Sequence, residues 1–355
     1  MVSMERLDPA TMGSEPMLSV RDLKTYFVTD EGTTRAVDGA TFDVYPGRTV
    51  GIVGETGCGK SVTALSILRI VEKPGQIVGG TVLLRNDGGW TDLTALAANG
   101  PEIRSIRGGD IGLVFQEPMT SFSSMHTIGN QIVEAIRLHQ DMEPKAARLR
   151  AAELLRLVGV PRPNERLDEY SWQLSGGLRQ RAMIAMALAG KPSLLIADEP
   201  TTALDVTTQA QILALLKDLQ GQTGMAVMLI THDLGVIAEM ADEVVVMYLG
   251  RVVEQGPVDD IFHAPKHPYT RALLRSIPSV RATAKTILPT ISGSIPHPFA
   301  RPEGCPFHPR CSDAIPGLCD VTAPTPTKNG ECSVCCHLYG NDPVADRDPT
   351  MGANA

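Results

Sequence analysis

Gly54-Glu55-Thr56-Gly57-Cys58-Gly59-Lys60-Ser61 fits the G-x-x-x-x-G-K-[ST] pattern of a phosphate-binding loop. The apolar run Thr49-Val50-Gly51-Ile52-Val53 precedes it and reads as a buried strand, and Val62 to Ile70 carries a helical pattern. Strand, loop and helix in that order are the setting this motif needs. The glycines let the backbone curl until its N–H groups face phosphate oxygens, and the helix adds its positive end. In such a loop Lys60 reaches the β- and γ-phosphates of a nucleoside triphosphate, and the Ser61 hydroxyl ligates Mg²⁺. A plain glycine-rich turn with an exposed lysine fits the letters but not their setting.

A second apolar strand, Leu194-Leu195-Ile196-Ala197, delivers Asp198 and Glu199 at its C-terminal end, where ligands sit in open α/β sheets. Adjacent acids on a strand point to opposite faces and can take different roles. Asp198 suits the Mg²⁺ shell, and Glu199 suits a general base that polarises attacking water. Alone, such a pair is a solvated turn. Behind a lysine loop it reads as the hydrolytic half of a nucleotide site. Ser175-Gly176-Gly177 sets a hydroxyl and glycine N–H groups at a helix start, an anion site or an ordinary cap.

Composition sets bounds. The chain has 355 residues, 43% of them hydrophobic, enough for one large domain or two smaller ones. No apolar run reaches the ~18 to 20 residues that span a bilayer. Residues 1–16 lack the apolar stretch of a signal peptide and are expected to be a flexible leader. A net charge of −8 weighs against nucleic acid as the main partner. Strand patterns at 18–23, 41–45, 81–84, 111–115, 193–197, 226–230 and 243–248 flank a mostly helical stretch, about 116–189. Glu143 to Val158 has the clearest helical spacing there. The expected fold is α/β with an inserted helical subdomain. Pro278, Pro289, Pro296, Pro298, Pro302, Pro306 and Pro309 then exclude a long helix. No internal repeat is visible, so one nucleotide unit is expected.

Leu174-Ser175-Gly176-Gly177-Leu178-Arg179-Gln180 resembles the signature motif of the ATP-binding cassette superfamily. Val114-Phe115-Gln116-Glu117-Pro118 resembles its Q-loop, Ala203-Leu204-Asp205 its D-loop, and Ile230-Thr231-His232-Asp233 its switch region. The resemblance covers about residues 18–255. It implies a RecA-like cassette in which residues 54–62, Val62 included, bind ATP and Phe27 stacks on adenine; Tyr26 is the other candidate, and core packing is an alternative for either. It also implies that Gln116 contacts Mg²⁺ or the water and His232 the γ-phosphate. Ser175, Gly176, Gly177 and Gln180 would meet ATP held by a second subunit, and Asp205 would lie in that interface.

His267-Pro268-Tyr269-Thr270-Arg271-Ala272-Leu273-Leu274 and Gly304-Cys305-Pro306-Phe307-His308-Pro309-Arg310-Cys311 resemble the extension on ATPase subunits of di- and oligopeptide importers. Domains are accordingly expected at 17–256 for the cassette and 257–340 for the extension, with a flexible tail at 341–355. The implied partners are a second ATPase subunit, two membrane permeases and an extracytoplasmic solute-binding protein, at the cytoplasmic face of the inner membrane. Relatives with this tail also serve sugars, nickel complexes or opines. A soluble cassette ATPase without transport is the rival, but this chain has neither two cassettes nor a long coiled-coil insertion. Six of the seven cysteines fall in the extension, at 305, 311, 319, 332, 335 and 336. The resemblance implies a [4Fe–4S] cluster on Cys305, Cys311, Cys319 and Cys336. Cys332 and Cys335 leave the fourth ligand open; Zn²⁺, with His308 or His337, and free thiols are the alternatives.

Overall fold

The computed structural model describes residues 15–86, 89–117, 121–276 and 291–340. The expected tail, 341–355, and all but the last two residues of the expected leader lie outside them, as do Pro118, Pro278 and Pro289. Two long antiparallel strands come first, β1 (Leu18–Thr29) and β2 (Gly32–Val44), followed by β3 (Thr49–Val53). All five residues of β3 are buried. Helix α1 (Lys60–Ile67) follows the glycine loop. It stops short of the expected Ile70 because Arg69 takes a left-handed conformation, φ 54°. Strands β4 (Gly75–Asn86) and β5 (Gly89–Asp92), helix α2 (Pro101–Gly109) and strand β6 (Ile111–Val114) complete the first half.

The helical stretch contains α3 (Ile128–His139), α4 (Pro144–Leu157), the short α5 (Pro163–Arg166) and α6 (Gly176–Ala187). Helix α3 buries Ile128, Ile132 and Ile136 on one i, i+4 stripe, and Thr127 caps its first turn through Asn130 N–H. Helix α4 fits the expected span, with Glu143 and Val158 as its caps. Strand β7 (Leu194–Asp198), helix α7 (Val206–Thr223), strand β8 (Ala226–Ile230), helix α8 (Leu234–Met240) and strand β9 (Glu243–Tyr248) return the chain to the sheet. Strand β10 (Arg251–Pro257), helices α9 (Val258–His263) and α10 (Pro268–Arg275), and strands β11 (Thr327–Asn329) and β12 (Cys332–Val334) finish it.

Eight strands form the main sheet, ordered β11-β12-β10-β9-β3-β8-β7-β6. Its centre, β9-β3-β8-β7-β6, is parallel. The fully buried apolar runs of β3, β7 and β8 suit strands covered on both faces. A second, antiparallel sheet, β2-β1-β4-β5, packs through Val20, Phe42 and Val82 into one core with Ile52 and Ile196. The other core joins the helical stretch to Phe307, Cys305 and Cys319. The last segment is thus no appendage: β12 pairs with β10, Glu254 opposite Val334, and extends the main sheet.

Candidate nucleotide site

The loop after β3 depends on its glycines where the chain passes closest to itself. A Cβ on Gly54 (φ 150°) would lie 2.2 Å from the Met247 carbonyl oxygen, and one on Gly59 (φ 101°) 2.2 Å from that of Ala36. Thr56 and Gly57 are exposed, whereas Cys58, Gly59 and Lys60 are buried. Lys60 Nζ donates to the carbonyls of Gly54 (2.8 Å) and Glu55 (3.3 Å) and lies 3.8 Å from Cys58 Sγ. Burial raises the Cys58 thiol, so it stays a small neutral packing group despite nearby Lys60. Ser61 and Val62 are half-buried at the start of α1.

Strand β7 lies beside β8, which pairs with β3, so its C-terminal acids reach the mouth of the loop. The Asp198 carboxyl accepts from the Ser61 hydroxyl, and its Oδ1 is buried without a hydrogen-bond partner. Burial pushes its pKa up, with Glu199 adding to the shift while Ser61 and Lys60 oppose it. An orphaned carboxylate oxygen beside a serine hydroxyl fits a Mg²⁺ site, since a bound cation would reverse that shift. Glu199 takes a left-handed backbone, φ 46°, anchored by its N–H to the Ile230 carbonyl at 2.8 Å. Its carboxylate accepts from Gln116 Nε2 (2.8 Å) and the Thr202 hydroxyl (2.9 Å), and lies 3.3 Å from His232 Nδ1. Burial alone would raise its pKa, but Thr202, His232 and Lys60 outweigh that and hold it low. Two adjacent carboxyls are thereby pushed in opposite directions by their surroundings.

Gln116, Glu199 and His232, from the ends of β6, β7 and β8, therefore meet directly. The signature residues do not join them. Ser175 caps α6, its Oγ accepting from Leu178 N–H at 3.4 Å, and Ser175 and Gly176 face solvent. Gly177 abuts Thr208 on α7, whose cap is the exposed Asp205; Asp205 accepts from Thr208 N–H (3.0 Å) and Oγ1 (2.7 Å). Gln180 departs from its expected role. It lies on the buried face of α6 with Met183, Ile184 and Ala187, 2% exposed, so its amide cannot meet a nucleotide carried by another subunit. Phe27 is half-buried against Gly75, while the Tyr26 hydroxyl is committed to Asp38 Oδ1 at 2.5 Å.

The sequence reading missed what holds the loop from outside. Thr202 had no motif to mark it. Tyr269 and Arg310 belong to the extension motifs, yet both touch the phosphate loop at Glu55. Four of the extension's six cysteines, Cys305, Cys311, Cys319 and Cys336, line one cavity of about 10 Å³ beside Phe307, with His267, His308 and His337 around it. All seven cysteines are free thiols. Among the described residues no group of three or more His, Cys, Asp or Glu is gathered closely enough to hold a metal ion.

Comparison with known proteins places the chain in a family. The ABC transporter family profile matches residues 37–202, and that of the oligopeptide/dipeptide transporter C-terminal region matches 253–319. The chain is similar to the probable peptide ABC transporter ATP-binding protein y4tR of Sinorhizobium fredii, 51% identical over 87% of this chain and 90% of that one. It is also similar to the dipeptide transport ATP-binding protein DppD of Bacillus subtilis, 48% identical over 91% and 95%. Among solved structures, the ADP- and phosphate-bound dimer of the ATP-binding cassette MJ0796 superposes with a TM-score of 0.60 at 27% identity, covering 68% of this chain and 99% of that one. The chain belongs to the ABC transporter ATP-binding proteins, in the branch that carries the oligopeptide/dipeptide transporter C-terminal region.

Proposed function

We propose that this chain is the ATP-binding and ATP-hydrolysing subunit of an importer of di- or oligopeptides. The observation that carries the reading is the meeting of Gln116 and His232 on the Glu199 carboxylate, beside Lys60, Ser61 and Asp198. The backbone of residues 54–62, with the Lys60 side chain, binds the phosphates, and Ser61 and Asp198 would hold Mg²⁺, which would supply neutralisation of phosphate charge. Glu199, ionised at neutral pH, takes the proton of the attacking water. Gln116 and His232 orient it, and Phe27 receives the adenine.

Ser175, Gly176 and Gly177 present an exposed helix start with no nucleotide of their own, and they serve a second ATPase subunit's ATP. Asp205 stands in that interface. Two permease subunits and a solute-binding protein complete the importer at the cytoplasmic face of the inner membrane. Among the described residues no helix is long and apolar enough to cross a membrane. In the assembled transporter, Ser175→Arg should leave this subunit's ATP affinity near wild type and reduce turnover at least tenfold. Unchanged turnover contradicts the cross-subunit role.

Residues 17–256 serve as the cassette, with 116–189 as its helical subdomain, and 257–340 as the extension. Within the extension, Cys305, Cys311, Cys319 and Cys336 line one cavity and, drawn closer than they stand here, would hold a metal centre, read as a [4Fe–4S] cluster. The support is the direction of their hydrogen bonds. Ile315 N–H donates to Cys319 Sγ at 3.3 Å. Burial raises the Cys305, Cys311 and Cys336 thiols, and backbone N–H groups of Phe307, Asp313 and Leu338 respectively oppose that rise. Such donors stabilise thiolate, the ligating form. Zn²⁺ is the second reading, with His308 or His337 beside the same thiols.

A further inference from the structure

Glu55 is the odd member of the phosphate loop. Glycines, a lysine and a serine suit an incoming anion; a carboxylate one residue after Gly54 does not. The fold turns it aside. Arg310 Nη1 donates to Glu55 Oε2 at 2.7 Å and Nη2 to Oε1 at 2.9 Å, a two-pronged pair. The arginine side chain is only 4% exposed and the glutamate 21%. Arg310 Nε donates to the Ser292 carbonyl (3.0 Å), Nη1 also reaches the Tyr248 hydroxyl (3.3 Å), and the guanidinium lies over the Tyr248 ring. At the same loop residue, Glu55 N–H donates to the Tyr269 hydroxyl at 2.8 Å. Tyr248, Tyr269 and Phe307 pack as one aromatic group, with ring centroids 4.7 to 5.3 Å apart.

We propose that Arg310 is a positioning residue of the nucleotide site: by pairing with Glu55 it neutralises the loop's carboxylate and turns it away from the triphosphate, while Tyr269 fixes the backbone at the same point. The inference rests on the reading of residues 54–61 as the ATP-binding loop. The last segment of the chain thus completes a site whose motif lies 255 residues earlier. A guanidinium suits the task because its planar fork matches both carboxylate oxygens at once and stays charged when buried.

The test is ATP affinity of the full-length chain, read with a ribose-labelled fluorescent ATP at two salt concentrations. Arg310→Met should weaken ATP binding about tenfold at low salt, and the deficit should narrow at high salt because the exposed repulsion is screened. Adding Glu55→Gln to Arg310→Met should restore affinity to within threefold of wild type. A residue that only propped up the extension would not be rescued by removing a charge in the loop. Wild-type affinity in Arg310→Met, or a double variant as weak as the single, overturns the inference. If Arg310→Met does not fold, Arg310→Lys and Arg310→Gln decide: Arg310→Lys within threefold of wild type, with Arg310→Gln about tenfold weaker at low salt, agrees, and equal affinities in the two overturn it. Lys60→Ala separates the two readings. If it binds ATP like wild type, the loop assignment fails and this inference with it. If it loses binding while Arg310→Met does not, this inference alone falls.

Discussion

At the scale of single residues, six cysteines crowd the extension, but their sulfurs face two kinds of surroundings. Cys305, Cys311, Cys319 and Cys336 receive backbone N–H groups. Cys335 Sγ instead donates to the Pro324 carbonyl at 3.1 Å, and Cys332 Sγ faces the Asp260 carboxylate at 3.7 Å. The letters revealed a thiol cluster but left three terminal cysteines equivalent, because the choice depends on where each Sγ points. Gln180 makes the same point in reverse: its motif suggested a surface role, and its position on α6 buries it. Burial pushes Cys311 up to about 11 and Cys336 up to about 12, so without a metal both are neutral thiols at pH 7. Metal binding must then release protons and should weaken as pH falls. Anaerobically purified protein should be brown with about four irons per chain. Cys336→Ser should lose the metal, and Cys335→Ser should keep it. One zinc in colourless protein selects the second reading, and metal-free protein removes both.

At the scale of elements, the parallel strands were legible because sheets covered on both faces demand unbroken apolar runs, as in Leu194–Asp198 and Ala226–Ile230. Strands β10 and β12 were not. They carry Glu254, Gln255 and Ser333, which break any apolar run, and they join through a pairing across some eighty residues that no local pattern announces. Glu254 is the hinge pin of that joint. It is fully buried on β10, and its carboxylate accepts from Lys266 N–H (2.6 Å) and His267 N–H (3.0 Å), which enter α10. Burial raises its pKa, opposed by Thr270 and those two N–H groups. Glu254→Ala should leave two donors without an acceptor, at a cost of about 1–3 kcal/mol. Limited proteolysis should then cut near residues 264–267 well before the cassette. Wild-type cutting rates in that variant would show that the carboxylate does not hold the extension.

At the scale of the molecule, three strand ends and one glycine loop converge because β6, β7, β8 and β3 lie side by side and parallel. Motif order made that convergence readable, since each motif ends its own strand. Sequence could not reveal that the extension reaches back to the loop, because Arg310 and Tyr269 meet Glu55 only after the sheet has closed. The signature stands exposed at α6, and in the proposed function its ligand arrives on another subunit. The most direct test of the whole account is Glu199→Gln in the assembled transporter. It keeps the side chain's size and the Thr202 contact while removing the basic carboxylate. ATP affinity should stay within about threefold of wild type while turnover falls by ~10²- to 10⁴-fold, the worth of a general base. Turnover close to wild type, with ATP bound normally, would contradict it.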